Sequence, residues 1–149
     1  MLSNQLIRMI EDQWQRITAR TLARIREAPE LPNIRKLTDS EVHEWGRLVL
    51  QNLGQWLVQT RDQHLARRYE SLGRVRFEES VPLYEAVFAI QLLKDETIDF
   101  ARSQGCGTVI EVYAAEELEH RVDRCFDWLV YHLVRGYEEA LRKAAHLAA

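Results

Sequence analysis

The 149-residue sequence has few of the residues that crosslink or interrupt a chain: two cysteines, three prolines and six glycines. Cys106 and Cys125 supply neither a disulfide framework nor the four ligands of a structural zinc site. An apolar core must therefore stabilise the fold, and a chain of this length can bury one. So sparse a use of cysteine fits a reducing compartment, and we expect a cytoplasmic protein.

Long apolar runs and an excess of one charge sign are also missing. The 20 basic and 23 acidic residues are mixed along the whole chain and give a formal net charge of -3. No broad basic face for nucleic acid or anionic lipid is expected from this mixture. Because no apolar stretch approaches the roughly 20 residues of a membrane span, we predict neither a nucleic-acid partner nor a membrane segment.

The apolar residues recur every three to four positions, and no alternating strand pattern appears. This periodicity predicts an all-α fold: a single domain over residues 1–149, built as an up-and-down bundle of about five helices with a long C-terminal helix. The predicted helices are Leu2–Ala28, Ser40–Thr60, Arg61–Glu79, Val81–Ser103 and Thr108–Ala148.

Helix boundaries are marked by particular residues. Thr38 with Glu41, and Thr108 with Glu111, have the spacing of capping boxes, and Ser80 before Pro82 is predicted to cap the fourth helix. The third helix has a thin apolar line, which predicts a short and exposed element that Gly73 could interrupt.

The last predicted helix is about 60 Å long, roughly twice what a small domain needs to cover its core. Residues 136–149 are therefore predicted to extend towards an output module or a partner. One apolar stripe is a candidate dimer and output interface, although a single wide buried face explains the pattern equally well. The stripe comprises Val122, Cys125, Leu129, His132 and Gly136.

Four residues are candidates for binding a ligand. Arg74 and Arg76 lie in the least regular part of the chain and could pair with a phosphate or a carboxylate. Trp45 and Trp56 point towards the predicted core, where aromatic side chains could line an apolar pocket. The alternatives are a solvated helix face for the arginines and ordinary core packing for the tryptophans.

No residue set specifies a reaction. Glu117 and His120 have the Glu-x-x-His spacing of di-iron bundles, but the second copy that such a site requires is missing. The chain also lacks a nucleophile elbow and a glycine-rich phosphate loop. We therefore predict no catalytic residues, no metal and no cofactor. A single histidine could ligate haem, but His132 lies on the most apolar part of its helix and is expected to be a packing residue.

The second half of the chain resembles the N-terminal domain of RsbT co-antagonist (RsbRD-type) proteins. Four segments within residues 69–139 carry the resemblance: Arg74-Val75-Arg76, the run from Ser80 to Val87, Leu92-Leu93-Lys94, and the run from Glu117 to Asp127. Related helical input domains precede bacterial histidine kinases, where a segment like Gly136-Tyr137-Glu138 comes near the exit.

The resemblance implies a non-catalytic input domain of bacterial stress-response or two-component signalling. Such a domain is often a homodimer and passes its signal through the C-terminal helix to a kinase, STAS or anti-sigma-type partner. Since the sequence stops at Ala149, we expect an excised domain, a solitary relative or a protein that acts on a separate partner. The alternative function is a stand-alone small-ligand or haem-binding helical protein.

Overall fold

The computed structural model describes residues 2–59, 62–104 and 107–148, and within these ranges all regular structure is helical. This confirms the all-α class, whereas the prediction of about five helices is wrong, because the described residues form seven. They are α1 (Leu2–Asp12), α2 (Trp14–Glu27), α3 (Asp39–Leu50), α4 (Leu53–Val58), α5 (Gln63–Glu78), α6 (Leu83–Gln104) and α7 (Val109–Ala148), with a short 3-10 helix (Ile34–Lys36) before α3.

The two additional helices arise where long predicted helices are interrupted for a residue or two. Gln13 separates α1 from α2 with φ of -105° and ψ of 19°, and Asn52 precedes α4 with φ of -123° and ψ of 33°. The N–H of Gln13 still bonds to the carbonyls of Met9 and Ile10, at 3.0 and 3.2 Å. The interruptions therefore leave the apolar periodicity almost intact. Thr60 and Arg61, at the predicted boundary of the next helix, lie outside the described residues.

Two predicted helix starts are confirmed, and a third is wrong. The Thr38 hydroxyl accepts a hydrogen bond from the Glu41 N–H, and the Thr108 hydroxyl accepts one from the Glu111 N–H at 3.1 Å. Ser80 does not cap α6: it has a φ of 60° and belongs to the turn after α5.

Helix α6 packs mainly against α7 and α2. Ion pairs join α6 to α7 in antiparallel order, Arg102 to Glu119 at 2.6 Å and Lys94 to Asp123 at 3.5 Å. The core cluster draws on all seven helices, with Tyr69 and Phe126 among its largest fully buried side chains. The described residues therefore share one hydrophobic core.

Helices α5 and α7 run in the same direction and approach closely through two glycines. A Cβ on Gly73 would lie 2.1 Å from the Leu133 carbonyl oxygen, and one on Gly136 would lie 2.0 Å from the Glu70 carbonyl oxygen. Side chains at either position would force the backbones apart. The prediction of a short, exposed third helix is therefore wrong: α5 is a 16-residue helix without a break at Gly73, and it packs against α7.

The 40 residues of α7 divide into a buried part and a free end. Between Ala114 and Gly136 it contributes residues to the core, whereas every residue from Leu141 to Ala148 is exposed. None of the helices in the described ranges has both the length and the apolar character needed to cross a membrane.

Candidate ligand cleft

An open cleft of about 1060 Å³ lies between α4, α5 and α7. We call it the arginine cleft, because four arginines, Arg67, Arg121, Arg124 and Arg135, take part in its wall. The other lining residues are Trp56, Leu57, Gln63, Ala66, Glu70, Cys125, Asp127, Trp128, Tyr131 and His132.

One face of α7 forms the longest wall of this cleft. Its members follow one another in steps of three and four residues, which places them on one side of a helix. The face is immediately beside the buried stripe that packs against α5. It comprises Arg121, Arg124, Trp128, Tyr131 and Arg135.

The cleft is electropositive even though the whole chain is acidic. Four arginines face two carboxylates, Glu70 and Asp127, which leaves a formal excess of two positive charges. Arg135 lies 3.9 Å from Glu70, measured from Nε to Oε2. Arg67, Arg121 and Arg124 form no ion pair with any residue in the described parts of the chain, so their guanidinium groups are available to an anionic ligand.

His132 is the buried polar residue of the cleft wall, with a side chain that is 6% exposed. Its Nδ1 lies 2.6 Å from Glu70 Oε2. An ionised carboxylate only accepts hydrogen bonds, so Nδ1–H is the donor to an ionised Glu70. Nε2 is buried and makes no hydrogen bond to any residue that the structure describes. A buried polar atom of this kind calls for an explanation.

Two aromatic rings cover the imidazole of His132. Trp128 meets it edge-on with ring centroids 4.1 Å apart, and Tyr131 does so at 5.0 Å. The Trp128 and Tyr131 rings are nearly parallel, 6.0 Å apart with an interplanar angle of 17°. Tyr131 is 55% exposed, so its ring can rotate without disturbing the core.

The two predicted ligand-binding tryptophans lie in different environments. Trp56 lines the arginine cleft, where its Nε1 donates to the Leu48 carbonyl at 3.0 Å. Trp45 lies in the core, beside Tyr69. Burial raises the pKa of the Tyr69 phenol well above its ordinary value, and the neighbouring Trp45 indole opposes this shift. The core position of Trp45 fits the packing alternative.

The two predicted ligand-binding arginines lie outside the cleft. Arg76 is buried and paired with Glu79. Arg74 donates to the Ser71 hydroxyl at 3.0 Å and lies 3.9 Å from a Glu139 carboxylate oxygen. The structure therefore does not bring Arg74 and Arg76 together with Trp56. Sequence reasoning did not single out the four arginines that line the cleft.

The predicted dimer and output stripe is not a surface of this fold. Val122, Cys125, Leu129 and His132 are at most 9% exposed, and Gly136 is buried against α5. Two apolar residues beside this stripe are covered as well, since Phe126 and Leu133 are each 1% exposed. The reason is the wide contact of α7 with α5 and α6, so the alternative of one wide buried face is what the structure shows.

The remaining candidate chemistry is limited. Burial raises the pKa of the Cys125 thiol to about 12, which keeps it protonated. Cys106 lies outside the described residues. Glu117 and His120 line a second groove at the start of α7. Within the described ranges, no group of three or more acidic, histidine or cysteine side chains is placed to hold a metal ion.

The fold and cleft define an all-helical bundle with a basic cleft along its longest helix. Comparison with protein-family models, curated proteins and solved structures finds no match for the chain. The resemblance to RsbT co-antagonist domains therefore stays a prediction from sequence.

Proposed function

We propose that the chain is a non-catalytic input domain of bacterial signalling, in which α7 carries a signal from the arginine cleft to a kinase, STAS or anti-sigma-type partner. One observation carries this proposal. The same uninterrupted helix forms the longest cleft wall, through Arg121 to Arg135, and continues as an exposed end from Leu141 to Ala148. A ligand that displaces the wall would also displace that end, since a helix without proline moves as a stiff rod.

The exposed end also supplies a surface for the proposed homodimer. Leu141 and Leu147 are 49% and 85% exposed. Leu141 shares one helix face with Ala144, Ala145 and Ala148, because these residues follow it by three, four and seven positions. Two copies that pack through this face would remove Leu141 from water, with Leu147 at the edge of the contact. The interface is therefore proposed for Leu141–Ala148, in place of the buried stripe.

Light scattering after size-exclusion chromatography tests the dimer. At tens of micromolar we expect a mass near 35 kDa, twice the 17.5 kDa of one chain. Replacing both Leu141→Glu and Leu147→Glu is expected to give a monomer with an unchanged helical circular-dichroism spectrum. The matched control is Lys143→Glu, also on the exposed end. A wild-type chain that stays monomeric up to about 100 µM would contradict the dimeric form of the proposal.

A second candidate function, the stand-alone binding of haem, is favoured by His132. Its Nδ1 is held by Glu70 and its Nε2 is unpartnered, the arrangement in which a carboxylate orients a histidine towards a metal. Titration with haemin is expected to give a Soret band that is lost in His132→Ala and kept in His64→Ala, a histidine outside the cleft lining. A band of equal intensity in both variants would eliminate this function.

A further inference from the structure

We propose that the arginine cleft binds a small dianion that carries a flat ring, with either a phosphate monoester or two carboxylates as the charged group. This inference rests on the proposed function, because it names the chemical class of ligand for the same cleft.

The charge of the cleft sets the charge of the ligand. The formal excess of two positive charges among the lining residues is neutralised by two negative charges. The three arginines without ion partners, Arg67, Arg121 and Arg124, come from opposite walls. A planar guanidinium group pairs with a carboxylate or phosphate through two parallel hydrogen bonds. A dianion held between α5 and α7 would therefore satisfy groups that the chain itself leaves unpaired.

The aromatic residues explain why a ring is expected in addition to the charge. Trp128 and Tyr131 follow Arg124 along the same face of α7, one and two helical turns further on. Trp56 lines the cleft from α4. A flat ring attached to the anionic group would pack beside these side chains, with its charged end at Arg121 and Arg124. A bare inorganic anion would leave this part of the cleft unfilled.

His132 adds a directional contact. Its unpartnered Nε2 can accept a hydrogen bond from a ligand N–H or O–H while Glu70 holds the proton on Nδ1. Trp128 and Tyr131 both cover the imidazole, so a ligand would reach this nitrogen by displacing one of these rings. Binding would thus satisfy a buried polar atom that has no protein partner in the described residues. The volume of about 1060 Å³ is ample for a ligand of one to three rings.

Isothermal titration of the full chain with four probes tests the inference. The probes are adenosine monophosphate, naphthalene-2,6-dicarboxylate, inorganic phosphate and adenosine. We expect one ring-bearing dianion to bind at least about tenfold more tightly than phosphate or adenosine, since both charge and ring contribute. The probe that binds identifies the charged group as a phosphate ester or a dicarboxylate.

Variants then locate the binding site. Arg121→Gln and Arg124→Gln change exposed or half-buried side chains without ion partners, so both variants are expected to fold. Each should weaken binding by about tenfold or more, in keeping with the loss of a hydrogen bond between charged groups. Arg16→Gln, an exposed arginine on α2 outside the cleft, is the matched control and should bind as the wild type does. His132→Gln should weaken binding of the ring-bearing probe.

Three results would overturn the inference: neither dianion binds below about 1 mM, phosphate binds as tightly as both ring-bearing probes, or the two arginine variants bind like Arg16→Gln. Different results would contradict the ligand class and the proposed signalling function. A dimer formed through Leu141–Ala148 with no ligand binding refutes the ligand class alone. Tight binding by a chain that stays monomeric, with no change in amide exchange at residues 141–148, refutes signal transmission alone.

Discussion

At the scale of single residues, the cleft wall combines one side chain that is available for binding with one that is chemically inert. His132 and Cys125 lie seven residues apart on the same face of α7. Glu70 fixes the proton of His132 and leaves Nε2 without a partner, whereas burial raises the pKa of the Cys125 thiol to about 12. Since the thiolate is the nucleophile, Cys125 is a packing residue and His132 is the one placed to contact a ligand.

The Cys125 assignment predicts slow thiol chemistry in the folded protein. In a Cys106→Ser variant, Cys125 is the single thiol. The rise in pKa from 9.0 to about 12 lowers the thiolate fraction near pH 8 about 1000-fold. A more basic thiolate is also a stronger nucleophile, so reaction with Ellman's reagent is expected to be slower than in urea by about two orders of magnitude. Rapid labelling of the native variant at pH 8 would contradict the buried position.

The same shift also affects stability at alkaline pH. Between pH 9 and about pH 12 the unfolded thiol loses its proton while the folded one keeps it. The folded state then binds more protons than the unfolded state, so this group lowers stability as pH rises through that window and has no effect below it.

At the scale of helices, the contact between α5 and α7 depends on Gly73 and Gly136. From sequence, Gly73 is predicted as a possible interruption and Gly136 as part of a dimer stripe. Neither reading is correct, because each glycine faces the backbone of the other helix. A close approach of this kind joins residues about 60 positions apart in the chain, and no local pattern in one sequence reports such a pairing.

The glycine contact predicts that small substitutions are costly. Gly73→Ala and Gly136→Ala would place a methyl group about 2 Å from a backbone oxygen. Even though alanine favours helix formation, each change is expected to destabilise the fold by about 1–3 kcal/mol, the usual cost of overpacking. The measurement is urea denaturation followed by circular dichroism.

Gly107→Ala is the matched control for these variants. Its Cβ would meet only the flexible carboxylate end of Glu111, at 3.1 Å, and its backbone lacks a positive φ. We expect a change within about 0.5 kcal/mol. Equal unfolding midpoints for all three alanine variants would show that α5 and α7 do not touch at the glycines.

At the scale of the whole molecule, the sequence predicts the helical class and the cap positions well, because periodicity and capping are local. Thr38 and Thr108 are examples. The interruptions at Gln13 and Asn52 were not predictable in this way, because neither involves proline or glycine and the apolar spacing continues through both.

The cleft was missed for a related reason. The spacing of Arg121, Arg124, Trp128, Tyr131 and Arg135 is visible in sequence, but without α5 it is indistinguishable from a solvated helix face.

The two parts of α7 predict a gradient in hydrogen exchange. Amides from Leu118 to Gly136 are covered by α5 and α6 and should exchange mainly through global unfolding, whereas those from Leu141 to Ala148 should exchange by fraying. In a dilute sample we expect a difference of about a thousandfold or more, which corresponds to several kcal/mol of opening free energy. Mass spectrometry of peptic fragments measures it. Uniform protection along α7 at low concentration would contradict the free end.

The glycine contact also places a pivot point near the middle of the second half of α7, at Gly136. Gly136 lies twelve residues from Arg124 on one side and twelve residues from Ala148 on the other, so the two arms of the helix are each about 18 Å long. A ligand that pushes residues 124–136 away from α5 would move residues 136–148 by a similar distance in the opposite direction. A stiff helix pivoting on two glycines would thus convert a small widening of the cleft into an equal displacement at the far end.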